Sequence, residues 1–363
     1  MSDHAVFLDR MPVRNPVTGT FELTIRCNLH CKMCLFRHDD SENAELMANE
    51  LTAEQWVEMG RQVAEAGTLN LLITGGEPML RPDFCEIWKG IYKQGFIISL
   101  YTNATLVTPE IMSTLRKYPP HRIGITFYGA SPETYEKVTG NAAAFELALK
   151  GAHELTSLPS MVSFRMTVIR DNLPDVNAVD DLVKSEFGPD NMVTLSHRVH
   201  KPVRGGNADV ASCRLSPEDN FLMLKRKNIR EIKRIIGDSF DEDCLTIEEN
   251  KSRGTGPEHI TLFGCNAGME SYAVSYDGKL LGCQLLGVFS TDAAKDGFKT
   301  AWEEYPYTVD LPELNPKCRS CKDRQFCENC YASRFAETGD LAGVPEYSCE
   351  EARYIHELID GGK

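Results

Sequence analysis

The feature that most limits the fold is an alternation. Six apolar, β-branched runs (Phe21 to Cys27, Asn70 to Gly75, Ile97 to Asn103, Arg122 to Gly129, Ser163 to Ile169 and Val193 to Val199) are separated by stretches that carry helix-start chemistry. Thr52 with Gln55 three residues on forms a capping box, and Thr108-Pro109-Glu110 and Ser131-Pro132-Glu133 place proline at a first helical position. Repeated strand–helix units make a parallel sheet covered by helices. Six of them predict an α/β fold, a partial (β/α)6 TIM-like barrel whose mouth lies at the C-terminal ends of the strands. Ligand-handling residues are expected there.

After Val199 the alternation stops. Lys201 to Asp209 is a Gly-rich polar loop, Ser216-Pro217-Glu218 opens a helix to about Ile236, and the six acidic residues between Asp238 and Glu249 read as a solvated connector. Beyond Gly264 the chain is dense in cysteine and short of long helices, which predicts a small α+β domain built around metal. The expected division is an extension over 1–20, a barrel over 21–215, a helical bridge and acidic connector over 216–262, and a cysteine-rich domain over 263–363.

The 363 residues include 13 cysteines. No apolar stretch is long enough to cross a membrane and no signal-like segment opens the chain, so a cytoplasmic location is expected, where cysteines serve metals or catalysis more often than disulfides. The net charge of −14 argues against nucleic acid or an anionic membrane as partner. Ten of the 13 cysteines fall into two groups near the ends of the chain.

The first group, Cys27, Cys31 and Cys34 in CNLHCKMC, follows the first strand directly. Three thiolates on one short loop can hold three corners of a cubane iron–sulfur cluster and leave one iron open. Zinc is the alternative, with a fourth ligand from His30, His38 or elsewhere. The second strand ends in Gly75-Gly76-Glu77-Pro78 and the third in Tyr101-Thr102-Asn103. Paired glycines allow close backbone approach, and a neighbouring carboxylate can accept from an ammonium group.

CNLHCKMC after the first strand, GGEP after the second and TN after the third together resemble the radical S-adenosylmethionine (radical SAM) superfamily. The resemblance implies that Cys27, Cys31 and Cys34 hold a [4Fe-4S] cluster whose open iron chelates S-adenosylmethionine. It implies that Gly75, Gly76 and Glu77, with Pro78, meet the methionyl amino group. Asn103, Thr126 and Met33 join the cofactor set, Met33 standing where the family commonly has an aromatic residue near the adenine. Arg165 is a charge-based candidate for the methionyl carboxylate.

The C-terminal cysteines resemble the SPASM extension of that superfamily, which houses two auxiliary [4Fe-4S] clusters. By that resemblance Cys318, Cys321, Cys327 and Cys349 hold a distal cluster, and Cys265, Cys283 and Cys330 the nearer one, its fourth position open or filled by Cys244. A zinc knuckle is the alternative for the quartet. Cys85 is expected to pack, and Cys213, just past the sixth strand, is a candidate hydrogen-atom donor.

The resemblance implies a peptide maturase: reductive cleavage of S-adenosylmethionine to a 5′-deoxyadenosyl radical, then oxidative cross-linking of a ribosomally made precursor peptide. Partners implied are the peptide, an external electron donor such as flavodoxin or ferredoxin, and a separate leader-binding protein, since about 20 residues precede the first strand. Sulfatase maturation is disfavoured because Gln284 follows Cys283, where enzymes of that type carry an aspartate base. Small-molecule oxidation or epimerisation stays open, and an iron–sulfur electron carrier is the non-enzyme alternative.

Overall fold

The computed structural model describes residues 13–236 and 262–361. They divide into two compact units, 13–213 with 262–310, and 214–236 with 311–361. Cys244 and the acidic connector lie outside the described residues.

The first unit is built on one nine-stranded sheet ordered β6-β5-β4-β3-β2-β1-β7-β8-β9. Its strands are β1 (Thr18–Glu22), β2 (Asn70–Thr74), β3 (Ile97–Thr102), β4 (Arg122–Thr126), β5 (Met161–Thr167), β6 (Val193–Ser196), β7 (Ser271–Val274), β8 (Lys279–Leu281) and β9 (Ser290–Asp292). The first six are parallel and in sequential order. Right-handed crossovers between sequential parallel strands put every helix on the same face, so the sheet curls into a TIM-like partial barrel.

The two faces differ accordingly. Phe21, Leu71, Ile73, Ile98, Leu100, Ile123, Ile125, Phe164 and Met166 are all buried on the helix side. Trp56 and Trp88 of the flanking helices Ala53–Glu65 and Phe84–Tyr92 are fully buried too, with the Phe21 and Trp56 rings 4.9 Å apart. Each such side chain contributes about 1.5–3 kcal/mol by leaving water. The alternate residues Thr20, Thr74, Ser99, Tyr101, Thr126, Ser163 and Arg165 are half-buried and mostly polar. A polar lumen inside an apolar shell is what a parallel barrel with an open interior requires.

The helix starts read from the sequence are present. Thr52 Oγ1 accepts from Gln55 N while the Gln55 side chain accepts from Thr52 N, and Thr108 and Ser131 cap helices with proline at the first turn. Ser216 Oγ caps the helix Pro217–Ile236.

Several strand ends differ from expectation by two or three residues, and two larger differences bear on the site. β1 ends at Glu22, not Cys27, because Thr24 and Arg26 leave the ladder and pair with the GGE turn: Gly76 N donates to Thr24 O at 2.7 Å and Glu77 N to Arg26 O at 2.9 Å. The segment expected to begin a separate domain at 263 instead extends the barrel sheet. β7 pairs in parallel with β1, and β8 and β9 follow antiparallel. Ser271–Val274 reads as a buried strand with three of its four residues buried, and β1 offered an unpaired edge.

Candidate active site

Cys27, Cys31 and Cys34 sit on the loop leaving β1, pinned by His30 N and Lys32 N donating to the carbonyls of Thr139 and Val138. Each sulfur has its own hydrogen-bond donor. Asn103 Nδ2 lies 3.8 Å from Cys27 Sγ, Phe36 N lies 3.4 Å from Cys34 Sγ, and the Tyr128 hydroxyl bonds Cys31. Burial pushes the Cys27 thiol up to about 12, and the thiols of Cys31 and Cys34 up as well, Cys31 further raised by Cys27 and Cys34. Three clustered thiols raised in this way become thiolates most readily against a cationic core, and the three donors stand ready for that state.

The GGE turn explains its own glycines. A Cβ on Gly75, whose φ is +144°, would lie 2.2 Å from Thr24 O, and one on Gly76 would lie 2.1 Å from Arg26 O. The close approach these glycines permit is therefore to the cysteine loop's own backbone. Glu77 is fully buried, and its oxygens accept from Thr102 Oγ1 at 2.9 Å, Met79 N at 3.1 Å and Asn103 N at 2.8 Å. Burial raises its carboxyl to about 7, against the pull of those donors. It braces the ends of β2 and β3 against each other. Asn103 reaches on to Asn28 Oδ1 at 3.0 Å, and its own Oδ1 accepts from Thr105.

Thr126 and Arg165 are lateral partners on β4 and β5, facing the lumen, where the Arg165 guanidinium stacks 4.5 Å above the Tyr101 ring. Met33 is buried directly before Cys34 in the sequence, and Pro78 starts the short turn of helix after Glu77. Cys213 is 1% exposed, with its thiol donating to the carbonyls of Val210 at 3.4 Å and of Lys32, within the cysteine loop, at 3.8 Å. Cys85 is half-buried.

Two features were missed in the sequence. Tyr128 lies two residues beyond Thr126, and that same-face parity could have found it. Glu22, at the end of β1 and 3% exposed, holds Arg204 in a two-pronged ion pair at 2.6 and 2.8 Å and accepts from Gln284 Nε2 at 2.6 Å. Arg204 also lies 4.3 Å over the Phe36 ring, tying the Gly-rich loop to the cysteine loop. No sequence pattern announced it.

In the second unit, Cys318, Cys321, Cys327 and Cys349 line one cavity of about 170 Å³. That is several times the ~30 Å³ share of one water, so a body larger than a single ion fits. Among the described residues no group of three or more His, Cys, Asp or Glu is arranged to hold a single metal ion. Cys349 is raised by burial and then by the other three thiols, while Arg334 draws it down. Arg334, Lys317, Arg324 and Arg353 also line the cavity, which suits an anionic occupant in a chain of net charge −14. Cys265 and Cys283 belong to the first unit and Cys330 to the second.

The sequence matches the radical SAM superfamily over residues 21–183. Fe-coproporphyrin III synthase of Methanosarcina barkeri is 31% identical over 342 residues, covering 87% of this chain and 81% of that protein. The chain belongs to the radical SAM superfamily. As such it is an enzyme that binds S-adenosylmethionine and an iron–sulfur cluster. An AdoMet-dependent heme synthase of the same organism is 29% identical, covering 90% of this chain and 94% of the relative. PqqA peptide cyclase of Ruegeria pomeroyi is 27% identical, covering 92% and 87%. The fold resembles that of Streptococcus suis SuiB bound to S-adenosylmethionine, with a TM-score of 0.67 at 17% identity over 95% of this chain and 80% of that one. Among the described residues no helix of this radical SAM enzyme is long and apolar enough to cross a membrane.

Proposed function

We propose that this enzyme oxidises a ribosomally made precursor peptide, closing a carbon–sulfur or carbon–carbon cross-link with loss of two hydrogens per bond. The observation that carries the reading is the presence in one chain of two thiol sites of different kind: three donor-matched cysteines at the strand ends above a polar lumen, and four around a separate cavity. A net two-electron oxidation started by a one-electron event needs a second acceptor, and the second site supplies one. Similarity to PqqA peptide cyclase along most of both chains supports a peptide substrate.

Cys27, Cys31 and Cys34 hold the first [4Fe-4S] cluster in this reading, and Gly75, Gly76, Glu77 and Pro78 receive the methionyl amino group. Asn103, Thr126, Met33 and Arg165 complete the pocket. Bound there, S-adenosylmethionine supplies a 5′-deoxyadenosyl radical able to remove hydrogen from an unactivated carbon. The lumen wall orients the substrate and excludes water, and Glu77 keeps the turn in one shape through its three hydrogen bonds. Cys318, Cys321, Cys327 and Cys349 hold a distal auxiliary cluster, and Cys265, Cys283 and Cys330 the nearer one with an open fourth position or Cys244. An external one-electron carrier such as flavodoxin or ferredoxin, a separate leader-binding protein and a cytoplasmic setting that keeps thiols reduced complete the proposal.

The test is anaerobic reconstitution followed by reaction with any short precursor peptide found encoded beside the gene. We expect about twelve irons per chain for three cubanes, 5′-deoxyadenosine, and a peptide lighter by two hydrogens per link. Zinc with no deoxyadenosine overturns the enzyme reading. The heme and coproporphyrin synthases among the relatives favour a second reading, oxidation of a tetrapyrrole. Consumption of iron coproporphyrin with the peptide unchanged would decide for it.

A further inference from the structure

We propose that Arg334 sets the reduction potential of the centre held by Cys318, Cys321, Cys327 and Cys349, making that centre a ready electron acceptor. The inference rests on the reading of those four thiols as one iron–sulfur site. Arg334 lies on the helix Tyr331–Thr338 and is 6% exposed. Its Nη1 donates to Cys318 Sγ at 3.1 Å and to Gly343 O at 3.0 Å.

Among the described residues this guanidinium has no carboxylate partner. Arg214 in the same unit, equally buried, has one in Glu337. The carboxylate that does line the cavity, Asp323, is engaged by His356 Nδ1 at 2.6 Å. A buried cation without a carboxylate partner is costly, and here the Gly343 carbonyl and the neighbouring sulfur compensate it. Uptake of one electron makes a four-thiolate centre one charge more negative while no bond forms or breaks. A fixed neighbouring cation that is itself 6% exposed favours that reduced state. Asn329 Nδ2, 3.4 Å from Cys327 Sγ, acts in the same direction. Lys317, Arg324 and Arg353 are exposed, so water and salt screen them.

The experiment is a redox titration of the fully loaded enzyme, followed by electron paramagnetic resonance, for wild type, Arg334→Gln and Arg334→Lys. At a fixed poise, Arg334→Gln should shift the distal centre at least tenfold toward its oxidised form, which is about 59 mV for a one-electron couple. Arg334→Lys keeps the charge and should stay within about threefold of wild type. A fully loaded Gln variant that titrates like wild type, or a Lys variant that moves as far as Gln, overturns the proposal. Should Arg334→Gln lose its distal iron, Asn329→Asp takes its place: a carboxylate against the same sulfurs should shift the balance the same way, and an unmoved titration there also overturns it. Failure of the underlying reading looks different. Cys349→Ala would then leave both the iron content and every paramagnetic signal unchanged.

Discussion

Gly76→Ala tests the claim that the GGE turn exists to dock onto the cysteine loop. The added methyl would lie 2.1 Å from Arg26 O and 2.6 Å from both Arg26 C and Ile25 O, all backbone atoms that cannot swing aside. The backbone of Gly76 does not sit in the left-handed region, so the penalty is steric and the two strands of the turn must part by about 1 Å. Parting loses the bonds Gly76 N to Thr24 O and Glu77 N to Arg26 O. At about 1 kcal/mol each, with about 1–3 kcal/mol of overpacking, the total is about 3–5 kcal/mol. For a chain of this size that lowers the melting temperature by about 4–7 °C. Because Arg26 precedes Cys27, the cysteine loop moves with it, and a misplacement of that size costs roughly 100-fold in S-adenosylmethionine cleavage. Scanning calorimetry of the anaerobic protein and chromatographic measurement of 5′-deoxyadenosine give the two readouts. A melting point within 2 °C of wild type, together with undiminished cleavage, refutes the docking argument.

Other expectations follow from the same geometry. Cys31→Ala should abolish S-adenosylmethionine cleavage, whereas Cys349→Ala should spare uncoupled cleavage and suppress product, so equal loss from both would count against separate roles. Glu22→Gln or Arg204→Leu each breaks a buried ion pair and should cost about 3–5 kcal/mol in denaturant unfolding. The double variant should cost less than the two singles combined, and strict additivity would show that the pair is not coupled. Glu77→Gln turns an amide NH2 toward one of three donors and should destabilise by about 1–3 kcal/mol, with a melting curve like wild type as the contrary result.

The barrel was legible because its signals are local. Capping residues, proline at first turns and alternation of apolar runs each act within a few residues, and Thr52, Thr108 and Ser131 cap the helices they were expected to cap. What escaped was long-range pairing. The early end of β1 depends on a turn 50 residues away, and nothing in Phe21 to Cys27 shows that Thr24 and Arg26 will bond Gly76 and Glu77. The sequence 271–292 was misassigned for the same reason: cysteine density suggested a separate metal-held module, yet the strand's place beside β1 is fixed by an edge formed near the chain's start. Of the site, the thiols and the GGE turn were readable as motifs. Glu22 and Arg334 were not, because a lone glutamate or arginine has no spacing to betray it, and Tyr128 was marked only by its parity with Thr126.

The donors around the two thiol sites differ in charge, and that difference orders them. At the strand ends the hydrogen-bond donors to sulfur are neutral, the Asn103 amide, the Phe36 backbone N–H and the Tyr128 hydroxyl, although the Arg37 charge draws the Cys34 thiol down. In the second unit Cys318 is met by a guanidinium. Charged donors stabilise negative sulfur about twice as strongly as neutral ones, and a net positive charge favours a reduced centre where a neutral dipole does so only weakly. Burial of Glu77 near Cys27 works further against added negative charge at the first site, since its carboxylate raises the Cys27 thiol as well. If both sites hold clusters as proposed, these donors make the second the easier to reduce, which is the order needed for one to drive a reductive cleavage and the other to accept an electron.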